Sequence, residues 1–464
     1  MRIHYLGAAR TTTGSMYLVE VNQQRILLEC GLYQGRRSLA MEKNRNFTFD
    51  PAQLDCAVVS HAHIDHVGNF PNLCKRGFTG NIYSTFATRD LAAIMLVDSA
   101  EIQRADAEYV SKRRAKQGLP PVDPLYTGID AEKAIRQFVS FNYDRTMPIA
   151  NGVSVTFRDA GHILGSAQVV LDIRENDRKY RFLFSGDVGR PGQDILRDPD
   201  VVEDVDFLQI ESTYGNREHH DAANSLTELE RLVGDALKRG GKVIIPAFSV
   251  GRTQQLVYEL HKLVDARRMP VVPMFVDSPL SVNATEVFRL HPECFDEETY
   301  HFLQEHGSPF GLSNLTYIRD VAQSKALNTL AGPAVIISAS GMAEAGRVRH
   351  HLANHGGDAN NLILFVGYCA ESTLGAQILA GVNPVNIHGE PKMLKAQIAQ
   401  VDSFSGHASR SELLAYFRRL TGAMKKITVV HGEEGSSLAF ADALRLERPQ
   451  AEVIVPTLGQ VVEF

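Results

Sequence analysis

The chain has 464 residues, of which 44% are hydrophobic and 22% charged, and its formal net charge is −6. This composition excludes a disordered chain and is ordinary for a globular protein of two or three domains. The acidic balance argues against a broad nucleic-acid-binding surface, but a local positive groove made by metal ions stays open. Five scattered cysteines and the lack of a signal-peptide core or bilayer-spanning segment lead us to expect a cytoplasmic protein without membrane contact.

The first part of the chain, residues 1–211, predicts short strands joined by turns, because several segments alternate apolar and polar residues. The predicted strands cover residues 15–21, 25–29, 56–60, 152–157, 167–173, 180–185 and 206–210. One long helix is expected from about residue 86 to 117. We interpret its basic end, residues 111–116, as a solvated helix terminus favoured by the helix dipole; an RNA-facing patch is the alternative.

The rhythm changes at about residue 212, where apolar strands alternate with amphipathic helices, and this pattern indicates a parallel sheet covered on both faces. The strands are expected at residues 243–245, 271–276, 334–337 and 362–366. Short strands return after about residue 381, and strands 426–430 and 453–456 flank a helix at 409–420. The simplest α/β architecture is a strand-rich domain, 1–211 and 382–464, split by an inserted parallel α/β domain, 212–381.

The segment His-Ala-His-Ile-Asp-His, residues 61–66, directly follows an apolar run and offers the ligands that Zn²⁺ prefers. A solvated, histidine-rich turn is the alternative. Three more candidate ligands follow apolar strands, namely His162, Asp187 and His431. Each alone would more often be a surface histidine or a turn aspartate, but the first cluster needs partners and therefore favours all three. Gly161 and Gly186 would let the backbone approach the metal closely.

Ligand counting divides the seven candidates into two sets and one bridge: His61, His63 and His162 for one ion, Asp65, His66 and His431 for the other, and Asp187 between them. Two ions roughly 3.5–4 Å apart can generate a hydroxide and stabilise an oxyanion. A loop accommodates the spacing within residues 61–66, whereas a regular helix would not aim all four side chains inward. The imidazoles favour two Zn²⁺, with Mn²⁺ as the alternative.

The same motifs, His-x-His-x-Asp-His followed by Gly-His and Ser-Gly-Asp, resemble the signature of the metallo-β-lactamase fold. Residues 211–215, 332–346, 403–408 and 429–433 resemble the motifs of its β-CASP subgroup of nucleases. The resemblance implies a metallo-β-lactamase αββα sandwich split by an inserted parallel α/β β-CASP domain. His431 stands where RNA-acting members carry histidine. Glu29 departs from the usual aspartate, and we expect it to support the ligand loop with one more methylene group.

The resemblance and the ligand chemistry together imply a ribonuclease that hydrolyses phosphodiester bonds of single-stranded RNA with a two-zinc-activated hydroxide. Asp65, Glu211 and His407 are the expected catalytic residues. His407 would protonate the leaving 3′-oxygen, and Glu211 beside it would favour the protonated imidazole. The alternatives are a strand-end residue that caps a turn for Glu211 and a helix-start residue for His407.

A second group of candidates, at the strand ends of the inserted domain, would bind the RNA backbone. Helix N-termini bind phosphate and arginine adds bidentate contacts, which favours Arg252, Ser338, Ser340 and Gly341. Ordinary strand-to-helix turn chemistry is the alternative.

Three other functions compete with an RNA-processing nuclease: a small-molecule hydrolase on the same fold, a non-catalytic RNA-binding subunit, and a DNA nuclease. The inserted domain and the Glu211–His407 pair argue against the first, and the complete ligand set argues against the second. Cleavage mode, base preference and oligomeric state stay open, with a homodimer as one option.

Overall fold

The computed structural model describes residues 1–35, 37–219, 225–367, 369–370, 373–401 and 405–464. The chain forms two compact units: unit 1 comprises Met1–Glu218 and His407–Phe464, and unit 2 comprises His219–Gly406. Unit 2 is thus an insertion within unit 1. Its second boundary falls later than residue 381, because a strand at Gln397–Gln400 pairs within the sheet of unit 2.

The first part of unit 1 consists of short strands and five helices among the described residues. The strands are β1 Arg2–Tyr5, β2 Tyr17–Val21, β3 Gln24–Leu28, β4 Cys56–Val58, β5 Asn81–Ser84, β6 Phe138–Ser140, β7 Thr146–Ala150, β8 Val153–Asp159, β9 Ala167–Glu175, β10 Arg178–Phe184 and β11 Phe207–Glu211. The helices are α1 Arg37–Arg45, α2 Ile64–Val67, α3 Phe70–Lys75, α4 Phe86–Ala115 and α5 Gly128–Ile135, with a short 3-10 helix at Pro51–Gln53.

Unit 2 alternates strands and helices, as the sequence predicts. The strands are β12 Lys242–Pro246, β13 Met274–Asp277, β14 Leu315–Ile318, β15 Ala334–Ser338, β16 Leu362–Phe365, β17 Val385–Ile387, β18 Glu390–Lys392 and β19 Gln397–Gln400. The helices are α6 Ser225–Lys238, α7 Arg252–Asp265, α8 Pro279–Leu290, α9 Glu297–His306, α10 Val321–Ala326, α11 Val348–His355 and α12 Leu374–Leu379, with 3-10 helices at Pro292–Cys294 and Leu327–Thr329.

The last part of the chain returns to unit 1. It contains α13 Arg410–Arg419, β20 Lys426–Val430, α14 Glu434–Glu447, β21 Glu452–Ile454 and β22 Val461–Glu463. Within the described ranges, none of the helices of either unit is both long enough and apolar enough to cross a membrane.

Unit 1 is built on two seven-stranded sheets, in the orders β22-β1-β2-β3-β4-β5-β6 and β21-β20-β11-β10-β9-β8-β7. Alternate residues of each strand point to the space between the sheets, as the alternating burial along β8 shows. One core of buried side chains fills that space, with Tyr17 and Leu28 from the first sheet and Phe157, Phe182 and Phe184 from the second.

Helices cover the outer faces of both sheets. Leu208 of β11 packs with Phe417 of α13 and Phe440 of α14 in a second buried cluster. On the other side, the ring of Phe70 in α3 lies 6.3 Å from that of Phe138 in β6. The predicted αββα sandwich is therefore confirmed.

Unit 2 contains a six-stranded sheet in the order β14-β13-β15-β12-β16-β19, and each neighbouring pair is parallel. Successive residues of β12 from Val243 to Ile245 are all buried, although they point to opposite faces of the sheet. Both faces are therefore covered, and the predicted parallel α/β insertion is confirmed. The carboxyl ends of β12 and β15 lie side by side, with Pro246 paired to Ser338.

Candidate metal centre

The His-Ala-His-Ile-Asp-His motif lies just beyond the carboxyl end of β4, an interior strand of the first sheet of unit 1. His61 and His63 belong to an extended loop, and His63 begins the short helix α2 as its N-cap residue. Asp65 and His66 lie on that single helical turn. The expectation of a ligand loop was wrong for these two residues, because the motif crosses from loop to helix.

Three further ligand residues enter from the second sheet of unit 1, each just beyond a strand: His162 after β8, Asp187 after β10 and His431 after β20. Gly186 has a positive φ of 56°, and a Cβ atom there would lie 2.8 Å from the Cβ of Ser60. Glycine is needed at this position because any side chain would strain the backbone and push the ligand loops apart.

The first ligand set brings three imidazole nitrogens and one carboxylate oxygen together. Nε2 of His61 and Nε2 of His162 each lie 3.1 Å from Nδ1 of His63. Oδ2 of Asp187 lies 3.5 Å from His61 Nε2 and 3.6 Å from His162 Nε2. A tetrahedral zinc ion with bonds of 2.0–2.1 Å to nitrogen spaces its ligand atoms about 3.3 Å apart, so these separations fit one ion.

The second ligand set shares Asp187 with the first. Nε2 of His431 lies 3.1 Å from His66 Nε2 and 3.6 Å from Asp65 Oδ2. The two oxygens of Asp187 divide between the histidines: Oδ2 is 3.4 Å from His66 Nε2, and Oδ1 is 3.4 Å from His431 Nδ1. One carboxylate therefore faces both sets of imidazoles, as a bridging ligand would.

The donor set fits metal ions on the chemistry of its atoms. Asp187 Oδ1 is buried and has no hydrogen-bond partner among the described residues. Such an atom is costly to bury unless a cation or another group satisfies it. The ligand atoms lie within 4.8 Å of one another in each of the two sets, and also in a third grouping of Asp187, Glu211 and His431. Imidazole and carboxylate groups are common metal ligands, so this cluster is the candidate metal-binding part of unit 1.

The electrostatics of the centre favour the protonation states that bind metal, namely neutral imidazole and ionised carboxylate, for most of its residues. Burial lowers the pKa of His61 well below its usual range and that of His63 to about 4, so both are neutral imidazoles at pH 7. Burial opposes ionisation of Asp187, but the imidazoles of His431, His66 and His61 hold the pKa of this carboxyl well below its usual range. His66 differs from His61 and His63. Burial opposes its protonation, yet Asp187 and Glu29 raise its pKa well above the usual range. The carboxylates around His66 therefore favour a positive charge at this position.

Glu29 holds the ligand loop from behind, as the sequence predicts for this position. Its side chain is fully buried, with Oε1 accepting a hydrogen bond from the Ser60 backbone N–H at 2.7 Å and Oε2 3.2 Å from His66 Nδ1. The longer glutamate therefore reaches both the loop and the histidine.

Two hydroxyl groups that support ligands were missed in the sequence. The Ser60 hydroxyl lies 2.9 Å from His61 Nδ1, and the Thr213 hydroxyl lies 3.1 Å from His431 Nδ1. The sequence signals for these two roles were the position of Ser60 directly before His61 and the position of Thr213 within the motif 211–215. Hydrogen bonds to the outer ring nitrogen fix the orientation of a metal-binding imidazole.

Glu211 and His407 form a pair beside the ligands. Glu211 ends β11, fully buried, and accepts hydrogen bonds from the backbone N–H groups of Val188 at 2.7 Å and Thr213 at 3.1 Å. Nδ1 of His407 lies 3.2 Å from Glu211 Oε1 and 3.9 Å from Asp187 Oδ2. Burial alone would lower the pKa of His407, but the Glu211 carboxylate raises it to about 9. Ser403 and Phe404, the start of the motif that contains His407, lie outside the described residues.

The RNA-binding candidates lie in unit 2, at the carboxyl edge of its sheet. Arg252 begins α7 and donates a hydrogen bond to Gln255 Oε1 at 2.6 Å. The Ser338 hydroxyl is buried and donates to the Asp277 carbonyl at 2.8 Å, so it supports the loop rather than facing outward. Ser340 Oγ accepts backbone N–H groups from its own turn at 3.2 and 3.4 Å.

Gly341 follows in the same turn as Ser340. A Cβ atom there would lie 3.0 Å from the ring of Phe248, which is 48% exposed and was not singled out in the sequence. The sequence signal for Phe248 was an aromatic residue two positions after the end of the buried strand β12.

Three family models match the chain in order: the metallo-beta-lactamase superfamily over residues 9–237, the Beta-Casp domain over 253–378, and a Zn-dependent metallo-hydrolase RNA specificity domain over 391–456. A protein named Ribonuclease TTHA0252 from Thermus thermophilus is 34% identical over 450 residues, 96% of this chain and 96% of the relative. Transcription termination factor FttA of Methanocaldococcus jannaschii is 31% identical over 455 residues, 96% of this chain and 69% of the relative. A crystal structure of a protein of unknown function from Enterococcus faecalis aligns over 99% of both chains with a TM-score of 0.57 and 11% identity, a likeness of fold alone.

Proposed function

Because the chain belongs to the β-CASP ribonuclease family of the metallo-β-lactamase superfamily, we propose that it hydrolyses phosphodiester bonds of single-stranded RNA with two bound zinc ions. The observation that carries the proposal is the convergence of seven metal ligands beside the Glu211–His407 pair in one buried centre. The relative from Thermus thermophilus is named a ribonuclease, and residues 391–456 match an RNA specificity domain, which supports RNA as the substrate.

The two ligand sets would hold the two ions. One ion has His61, His63 and His162, the other has Asp65, His66 and His431, and Asp187 faces both sets. When bound, two zinc ions supply an activated water as nucleophile and stabilise the negative charge that develops on the phosphate oxygens. Mn²⁺ is the alternative cation.

The residues around the ligands handle protons. His407, with a pKa raised to about 9 by Glu211, carries a proton at neutral pH and donates it to the leaving 3′-oxygen. Glu211 holds that imidazole by the 3.2 Å contact and is itself held by two backbone N–H groups. Asp65 Oδ2 lies 3.6 Å from His431 Nε2, and as a ligand of the second ion it would help to hold that ion at the reacting phosphate.

The RNA backbone would be bound by the loops of unit 2. Arg252 offers a guanidinium at the first turn of α7, and the backbone N–H groups around Ser340 and Gly341 follow the adjacent strand β15. Phe248 offers an exposed ring on which a base could stack. Ser338 contributes by fixing this loop. The proposal places the enzyme in the cytoplasm, where its five free cysteines would stay reduced, and includes a homodimer.

Digestion of end-labelled single-stranded RNA by the purified chain tests the function. We expect cleavage that is abolished by a chelator and restored by Zn²⁺ or Mn²⁺. His63→Ala should reduce the rate by at least about 10³-fold, because it removes a ligand of the first set and the nucleophile depends on it. His4→Ala, a substitution of a half-buried histidine on β1 of the same unit, should leave the rate unchanged.

The products and a parallel substrate separate the competing functions. A ladder indicates internal cleavage, and mononucleotides indicate digestion from an end. Cleavage that survives both chelation and His63→Ala would contradict the proposal. Hydrolysis of a thioester without RNA cleavage would favour a small-molecule hydrolase, and RNA binding by metal-free protein without cleavage would favour a binding subunit.

A further inference from the structure

Helix α4 presents an outward face whose residues repeat at the spacing of a helix–helix seam. Its inward side is buried through residues such as Leu96, Ala100 and Ala107. On the opposite side, residues follow one another at alternating steps of four and three: Asp98, Ile102, Ala105, Tyr109, Lys112 and Lys116. Alternating steps of this kind place side chains along one stripe of a helix, where a second helix can pack.

The middle of this stripe is apolar and exposed. Ile102 is 56% exposed and Tyr109 is 61% exposed, and Ala105 lies exposed between them. A small residue between two large ones leaves room for a large side chain from a facing helix. Burial of these exposed side chains against a facing helix would remove apolar surface from water and stabilise the contact.

The ends of the stripe carry opposite charges. Asp98 and Glu101 lie towards its N-terminal end, and Lys112, Arg113 and Lys116 lie towards its C-terminal end. In the described part of the chain, Asp98, Lys112 and Lys116 form no ion pair, whereas Glu101 pairs with Arg104 of its own helix at 3.0 Å. The helix dipole accounts for cations in the last turn, but it acts only within the first turn at the other end, and Asp98 and Glu101 lie three to four turns beyond Phe86.

We propose that this face of α4 binds the same face of a second copy of this chain, with the two helices antiparallel about a two-fold axis that crosses the outward face at the level of residue 107. In this arrangement Asp98 opposes Lys116 of the second copy, Glu101 opposes Lys112, and Tyr109 packs over Ala105. A parallel arrangement would set acid against acid. The pattern is self-complementary, as a two-fold interface requires.

The chemistry of the stripe favours a protein over RNA as its occupant. Three cations at one end could contact phosphates, but Ile102 and the acidic residues occupy the rest of the stripe. A seam from residue 98 to 116 is about 28 Å long and gives an interface at the small end of the usual range. We therefore expect a dimer with a dissociation constant of about 1–10 μM at low salt and about tenfold weaker association at 0.5 M salt.

Sedimentation velocity of the full chain tests the proposal with two charge-reversed variants. Asp98→Lys with Glu101→Lys makes the stripe basic at both ends, and Lys112→Glu with Lys116→Glu makes it acidic at both ends. Each variant alone should be monomeric at concentrations where the native chain is dimeric. An equimolar mixture of the two should form a heterodimer, because every pair is then opposite in charge.

Two controls keep the result interpretable. Lys133→Glu with Lys179→Glu changes two exposed lysines elsewhere in unit 1 and should leave the native dimer intact. Each variant should keep the far-ultraviolet circular dichroism and the RNA cleavage rate of the native chain. Since Asp98 is half-buried, Glu101→Lys alone provides a second basic variant with a smaller expected effect.

Three outcomes would overturn the proposal: a native chain that stays monomeric up to about 100 μM, a dimer that tolerates both reversals, or variants that fail to associate with each other. Weaker RNA binding by the acidic variant, without any change in mass, would assign the basic end of the stripe to RNA and would also overturn it.

Discussion

The metal centre of unit 1 and the strand-end loops of unit 2 differ in what their residues do for the fold itself. In the centre, Asp187 and the imidazoles face one another from separate strands, and one oxygen of Asp187 is buried without a hydrogen-bond partner among the described residues. In the loops, the hydroxyls of Ser338 and Ser340 are already engaged by neighbouring backbone groups. The first group of residues is costly to the fold without a ligand, while the second stabilises it.

This difference explains why the metal centre indicates a specific function and the strand-end loops do not. Buried imidazole and carboxylate groups that converge on one space need a cation as their partner, and their number and type favour a metal ion. Backbone N–H groups, serines and an arginine at a helix start serve equally in ordinary turns and in phosphate binding. Substitutions in the two regions should therefore differ in their effects on cleavage rate, metal affinity and RNA binding.

His407→Asn should have the largest effect of the four substitutions. It removes the proposed proton donor but none of the seven proposed metal ligands, so we expect cleavage to slow by about 10²–10⁴-fold with full metal content. Rates and bound zinc measured on the same preparations check this. Loss of metal together with loss of rate would show that His407 belongs to the ligand set instead.

Glu211→Gln tests the proposed role of His407 through the pH dependence of the cleavage rate. In the native chain the pKa of His407 is raised to about 9, so the imidazole is protonated below that pH and activity falls as pH rises through it. Without the Glu211 charge the pKa of His407 should fall, although Asp187 and Asp65 still raise it, so the alkaline fall in kcat/KM should move to lower pH. An unchanged alkaline limb would remove His407 from the role of general acid.

The positions of the candidate ligands His162, Asp187 and His431 could be predicted from the sequence because each follows an apolar strand, and strands leave a clear pattern of alternating or continuous apolar residues. β8, β10 and β20 lie close to the predicted segments, and the long helix α4 ends within a few residues of the expected position. The single helical turn α2 could not be predicted, since four residues carry no periodic signal.

The second boundary of unit 2 shows a different reason for failure. The segment after residue 381 contains the short strands β17, β18 and β19, which look like a return to the strand-rich domain. The parallel pairing of Gln397–Gln400 with β16 and the packing of Val385 and Ile387 into the core of the inserted sheet assign it to unit 2. Contacts between distant segments leave no signal in the local pattern of residues. Ser60 and Thr213 were missed for a related reason, because a hydroxyl beside a strand usually binds only nearby backbone.

Glu29→Gln should have an intermediate effect, since it keeps the shape of the support behind the ligand loop and removes its charge. We expect metal affinity to fall by about 10–100-fold, because the His66 imidazole loses the carboxylate that orients it. Zinc titration by competition with a chromophoric chelator measures this. Glu20→Gln, on neighbouring strand β2, is the matched control and should bind zinc like the native chain; equal losses in both would point to general destabilisation.

Arg252→Ala should have the smallest effect, and it decides whether the strand-end loops take part in RNA binding at all. Binding of single-stranded RNA can be measured in the His63→Ala background, where cleavage is suppressed. Loss of one phosphate contact should weaken binding about 3–10-fold and reduce the slope of log affinity against log salt by about 0.7. Arg267→Ala is the matched control, because this exposed arginine lies just beyond the opposite end of the same helix. If the two variants bind RNA alike, the turn chemistry of Arg252 is sufficient to explain it, and the contrast with the metal centre becomes one between a functional site and a structural loop. If only Arg252→Ala changes the salt slope, both regions are functional. They then differ only in that the metal centre can be recognised from its buried polar groups and the RNA-binding loop cannot.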